Sequence, residues 1–134
     1  MLPLPSKTIL CADDDRELIC EAITRLHPAY RVVHTQDGWE AFTWLQQAGI
    51  TGSLPCLVIL DINMPKMDGK QTLGKIRQTE GLSHVPVVMF CTAANPMDKL
   101  FFDRHGAKLF TKPSSLKAMD EQIEKLRMCC SGKL

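Results

Sequence analysis

Lys7-Thr8-Ile9-Leu10-Cys11-Ala12-Asp13-Asp14-Asp15 opens on a short apolar run and stops abruptly at three carboxylates. A buried strand behaves this way where it emerges at the edge of a sheet. The next residues along the chain decide the fold class. Leu18, Ile19, Ala22, Ile23 and Leu26 recur at helical spacing until Pro28, which ends a helix because it lacks an amide hydrogen and its ring clashes with the preceding turn. The first unit is therefore a strand followed by a helix of about three turns.

The alternation continues outward from there. Tyr30 to Thr35 reads as a second strand, and Asp37-Gly38 turns into a helix that buries Ala41, Phe42, Leu45 and Ala48 and ends at Gly49. Cys56 to Leu60 is a third strand ending at Asp61, and Gly69 to Thr79 is helical with Leu73 and Ile76 inward. Val85 to Phe90 is a fourth strand ending near Thr92. Asn95 then caps, and Pro96 starts, a helix that runs to Gly106. Ala107 to Thr111 is a short fifth strand. After Lys112-Pro113, Ser114 or Ser115 caps a last helix with Leu116, Met119, Ile123 and Leu126 on its inner face. Strict strand-helix alternation demands a parallel sheet with helices on both faces, because parallel neighbours need crossovers and crossovers are right-handed.

Composition sets the outer limits. The chain has 134 residues, 45% hydrophobic and 23% charged, which suits one ordinary globular domain and excludes disordered and fibrous classes. We expect one domain over residues 1–134, with a core from about 7 to 128 and short tails. A net charge of +1 favours neither nucleic acid nor membrane as a partner. No stretch approaches the about 18 apolar residues of a membrane helix, and the expected location is cytoplasmic. Cys11, Cys20, Cys56 and Cys91 fall in apolar strand-like or helical stretches and read as small, reduced core residues; Cys129-Cys130 fall in a tail that exposes them. No Cys-x-x-Cys spacing supports a metal knuckle. His27, His34, His84 and His105 lack metal spacing and read as structural or surface residues. Trp39 and Trp44 cannot closely share one helical face and read as partly buried.

In a parallel sheet every strand leaves at the same edge, so Asp13, Asp14, Asp61, Thr92 and Lys112 gather in one crevice despite their distance in sequence. Carboxylates held together raise their pKa values or recruit a hard, oxygen-seeking cation such as Mg2+. Such a site suits phosphoryl transfer: a carboxylate is the nucleophile, and metal, amine and hydroxyl answer the charge on the equatorial oxygens.

Over Lys7 to Arg127 the sequence resembles the receiver domains of two-component response regulators. Ile9-Leu10-Cys11-Ala12-Asp13-Asp14 looks like the family's strand and acidic pair. Leu60-Asp61-Ile62-Asn63-Met64-Pro65-Lys66-Met67-Asp68-Gly69 closely matches its phosphoacceptor loop, Cys91-Thr92-Ala93 its hydroxyl site and Lys112-Pro113 its lysine. The resemblance implies a doubly wound, flavodoxin-like sheet of order 2-1-3-4-5. It implies phosphorylation of Asp61, with Mg2+ held by Asp13, Asp14, Asp61 and the Asn63 backbone carbonyl. Asp14 would bind directly and Asp13 through a water; Asp15 then begins the helix, where a negative residue is favoured. Thr92 would bind a phosphoryl oxygen, Ala93 leave room for it, Lys112 pair with carboxylate and then phosphate, and the Lys112-Pro113 bond be cis. The family's aromatic switch position corresponds to Leu109, with Phe110 one later.

The implied partners are a sensor histidine kinase or phosphotransfer protein upstream and a separate output protein, which docks on the face of the fourth helix, fifth strand and fifth helix. Direct nucleic-acid or membrane binding is not implied, and the protein would be a monomer or weak homodimer. It would be no enzyme beyond its own phosphorylation and dephosphorylation. Three other classes compete. A haloacid-dehalogenase-type phosphatase shares the Asp-x-Asp spacing of Asp13 and Asp15, but Glu17 replaces the expected Thr or Val and little length remains for a cap. A flavodoxin-like cofactor binder would place a phosphate against three aspartates. A receiver-like module working without phosphorylation would survive Asp61→Asn.

Overall fold

Residues 7–12, 18–64, 66–91, 95–112 and 115–130 are described by the structure, a computed structural model. They form five strands, β1 Thr8–Ala12, β2 Arg31–Thr35, β3 Leu57–Asp61, β4 Val87–Cys91 and β5 Ala107–Thr111. The helices are α1 Leu18–Leu26, α2 Gly38–Thr51, α3 Gly69–Gln78, α4 Pro96–Arg104 and α5 Leu116–Cys130. All strand pairs are parallel, in the order β2-β1-β3-β4-β5, as expected.

Successive side chains of a strand point to opposite faces, and the apolar runs divide accordingly. Leu10, Val58, Leu60, Val87 and Met89 pack against Phe42 and Leu45 of α2, Leu73 and Ile76 of α3 and Phe102 of α4. Ile9, Leu57, Ile59, Val88 and Phe90 pack against Ile19 and Ile23 of α1 and Met119, Ile123 and Leu126 of α5. β3 and β4 are buried along their whole length, because they are covered on both faces and have a neighbouring strand at each side.

Four expectations are corrected. Gly49 does not end α2: it is helical, and Gly52, with φ of 73°, closes the helix by donating its N–H to the Ala48 carbonyl. The left-handed conformation selects glycine there. α5 continues to Cys130 and buries Cys129 on its inner face, so Cys129 does not lie in an exposed tail. The cysteines are not all reduced: Cys11 and Cys20 are joined by a disulfide, and Cys56 is disulfide-bonded too, while Cys91 and Cys129 are buried thiols. Cys11 of β1 and Cys20 of α1 lie in one core cluster, with their Cα atoms 6.5 Å apart. Of the tryptophans, Trp44 packs partly into the core as expected, whereas Trp39 is more than half exposed.

Candidate functional site

The sheet register brings the strand ends together. Ala12, the last residue of β1, pairs with Leu60, the residue before Asp61. Asp61 pairs with Phe90, and Cys91, the last residue of β4, pairs with Thr111. The β5 exit is tied in by the Lys112 amide, which donates to the Cys91 carbonyl at 2.7 Å.

At this edge the Asp61 side chain is almost fully buried, and Lys112 Nζ donates to its Oδ2 at 2.7 Å. Fifty-one residues separate the two. The Asn63 amide donates to Asp61 Oδ1 at 3.2 Å, which fixes the plane of the carboxylate. A carboxylate buried this way is stable as an anion only with such partners. A charge-assisted bond at this distance is also a strong one.

The backbone around Asp61 is held by glycine as much as by hydrogen bonds. The Gly69 amide donates to the Ile62 carbonyl at 2.8 Å. A Cβ at Gly69 would lie 2.4 Å from the Asp61 carbonyl oxygen, so α3 starts against Asp61 only because residue 69 has no side chain. Asp68 and Gln71 form a capping box at that helix start. On the other side, a Cβ at Gly38 would come 2.2 Å from the Met67 carbonyl. The buried Asp37 caps α2 through the Glu40 amide at 2.8 Å and pairs with Lys66 at 3.7 Å. In the sequence Asp37-Gly38 reads as a turn alone. Its second role, seating α2 on the 62–68 loop, depends on a contact between distant segments. Lys70 of α3 pairs with Asp98 of α4, a further link across this edge that no local motif announces.

Of the residues expected from the sequence, the structure brings Asp61, Asn63 and Lys112 together. Asp13, Asp14, Thr92 and Ala93, and the Lys112-Pro113 bond through Pro113, lie outside the described residues. Beside the site, burial raises the Cys91 thiol above its ordinary pKa, and the Asp98 and Asp61 charges add to this against the opposing effect of Lys112. Cys91 is thus held as a neutral thiol. The two β5 candidates for a switch residue face opposite ways: Leu109 packs toward the α2–α4 layer, and Phe110 packs toward α1 and α5, beside Phe90 at 5.7 Å. Residue 109, where the resemblance implies an aromatic switch, carries an aliphatic side chain.

A carboxylate has about four acceptor directions, and the two contacts described take one on each Asp61 oxygen. The remaining hard oxygen lone pairs suit Mg2+ or Mn2+, which take oxygen donors and leave ammonium groups aside.

A doubly wound sheet with a lysine-paired aspartate at its carboxyl edge defines a class of phosphoacceptor signalling modules. Relatives in sequence and in structure agree. Residues 9–124 match the family model "Response regulator receiver domain", and the chain belongs to that family. It is 31% identical over 126 residues to the response regulator Rcp1 of Synechocystis sp., covering 90% of this chain and 86% of that protein. The crystal structure of the phosphorylated cyanobacterial phytochrome response regulator RcpA superposes with a TM-score of 0.81 at 29% identity, covering 92% and 93% of the two chains. The Mn2+-bound form of Rcp1 does so with a TM-score of 0.77 at 26% identity, covering 91% and 92%.

Proposed function

We propose that this receiver domain accepts a phosphoryl group on Asp61 from a phosphohistidine of a sensor kinase or phosphotransfer protein, and so acts as a cytoplasmic switch. The observation that carries this reading is the 2.7 Å bond between Lys112 Nζ and the buried Asp61 carboxylate. An Asp61 oxygen attacks phosphorus as the phosphorus–nitrogen bond of the donor breaks, and the electron pair leaves on the imidazole. The product is a mixed anhydride, which water later hydrolyses.

Each residue has a part in this chemistry. The Asn63 amide holds the carboxylate plane, and Lys112 follows the negative charge from carboxylate to phosphoryl oxygen without changing its own place at the end of β5. Thr92 donates to a second phosphoryl oxygen, and Ala93 leaves space beside it. Asp13, Asp14, Asp61 and the Asn63 carbonyl would hold Mg2+, which when bound supplies charge neutralisation at the phosphoryl oxygens. The Mn2+ in the Rcp1 structure supports a divalent site in such a domain. The domain turns over no other substrate in this reading.

Its output is a change of surface, read by a separate protein. The exposed Met97 and Leu100 on α4 support docking at the α4–β5–α5 face. The decisive test is incubation with acetyl phosphate and Mg2+ followed by intact mass. Wild type gains one phosphate and Asp61→Asn gains none; equal labelling of both would overturn the assignment.

A further inference from the structure

The edge of the sheet opposite Asp61 holds an open cleft of about 430 Å³, where the segment entering β4 meets the turn from α4 into β5. Arg77, His84, Arg104 and His105 line it. The sequence leaves these histidines without a role; the fold gathers them beside two arginines. Among the described residues no carboxylate lines the cleft, and the ion pairs of the molecule involve none of the four. Arg77 donates to the carbonyls of Ser83, Val85, His105 and Gly106 through four N–H groups. A guanidinium has one N–H more than that, so a donor on Nη2 and the positive charge itself stay uncommitted. His105 is fixed as well: Nδ1 donates to the Phe101 carbonyl at 2.8 Å, and the ring stacks on Phe101 at 4.2 Å. A carbonyl only accepts, so Nε2 is the nitrogen left for a ligand. Both groups are held in place before any ligand arrives, which lowers the entropic cost of binding.

We propose that this cleft binds the di- or triphosphate group of a small molecule. Its volume falls in the range of about 300–1,000 Å³ typical of small-molecule sites, well beyond the needs of a lone phosphate ion. A phosphate chain presents several oxyanions in a row, which answer the two guanidinium groups and the two imidazoles together. Burial lowers the Arg77 pKa, and a bound oxyanion offsets that cost to its charge. A smaller cavity of about 200 Å³ shares Pro86 and Gly106 with the cleft and has Val88 and Lys108 in its wall. An organic body attached to the phosphates has a partly apolar place to lie there. The same oxyanions are offered by an inorganic polyphosphate and by a nucleoside polyphosphate, and the second cavity favours the nucleoside form. This site lies apart from Asp61, takes no part in phosphoryl acceptance there, and does not depend on the receiver reading.

The test titrates the full chain calorimetrically with inorganic tripolyphosphate and, separately, with adenosine triphosphate, at low salt and without divalent cations. Both are expected to bind. Tighter binding of adenosine triphosphate assigns the second cavity to the organic body, and equal binding assigns the site to the phosphate chain alone. Arg104→Gln removes one exposed cation and is expected to weaken either ligand about fivefold, the upper end for one exposed ion pair. His84→Gln weakens them in the same direction. Arg25→Gln, an equal charge change on α1, and Asp61→Asn bind as wild type does. Circular dichroism confirms that each variant is folded. Absence of binding by wild type overturns the proposal, as do folded Arg104→Gln and His84→Gln proteins that bind with wild-type affinity. Loss of binding in Asp61→Asn also overturns it, since the anion would then sit at the other edge. A chain that binds tripolyphosphate but gains no phosphate from acetyl phosphate and Mg2+ keeps this site and loses only the receiver reading.

Discussion

Lys112 and Gly69 act on Asp61 by opposite means, one by charge and one by having no side chain. Removing the ammonium with Lys112→Ala leaves the buried Asp61 carboxylate without this cation. The rate of phosphate gain from acetyl phosphate is expected to fall about tenfold or more, as when one charge-stabilising donor is lost; mass sampled over time measures it. Gly69→Ala places a methyl group 2.4 Å from the Asp61 carbonyl oxygen, and that backbone atom cannot yield as a flexible side chain would. The expected cost is about 2 kcal/mol, read from the urea midpoint, together with slower phosphate gain because Asp61 is displaced.

The far end of the sheet is organised by one arginine that joins several elements. Arg77, in the last turn of α3, donates through Nε to the His105 carbonyl at 2.6 Å and through Nη1 to the Val85 carbonyl at 2.7 Å and the Ser83 carbonyl at 3.2 Å. Nη2 donates to the Gly106 carbonyl at 3.3 Å. One planar fork thus closes the α3–β4 loop and the α4–β5 turn, each of which would otherwise present carbonyls in want of donors. Burial lowers the Arg77 pKa from its ordinary value, as expected for a cation whose described partners are dipoles. Arg77→Met preserves bulk but strands these acceptors, and a loss of about 2–3 kcal/mol is expected in urea denaturation. Phosphate gain at Asp61, at the opposite edge, should persist in the folded fraction.

Across the full assembly, α1 and α5 are joined by exposed charges over their buried seam. His27 Nε2 lies 2.7 Å from Glu124, which also accepts from Arg127, and Arg25 pairs with Asp120 at 3.6 Å. The hydrogen bond to His27, followed by that to Arg127, lowers the Glu124 pKa below the ordinary glutamate value. A carboxylate with a lowered folded-state pKa contributes stability that is fully present above its unfolded value and disappears as pH falls through the folded one. Urea midpoints measured downward from about pH 6 should therefore decline less steeply for Glu124→Gln than for wild type in the carboxylate range. The variant should be the less stable protein only at the upper end. Parallel curves would exclude this contribution.

Much of this molecule is legible along the chain because its signals are local. Apolar runs of strand length end in Asp61 and before Asp13, helical periodicity intervenes, and Asn95-Pro96 and Ser115 mark helix starts. Parallel pairing and helices on both faces follow from that alternation, and convergence of strand ends at one edge follows from parallel pairing. The end of α2 is not legible in this way, because Gly49 and Gly52 differ in backbone angle rather than in identity, and only Gly52 has φ of 73°. The disulfide at Cys11, the grip of Arg77 on four carbonyls and the fit of Gly38 against Met67 and of Gly69 against Asp61 have no sequence signature. Each depends on the distance between atoms of separate segments, which composition and spacing do not encode. Local order is written in the residues; which side chains meet, and at what separation, is settled only when the helices close over the sheet.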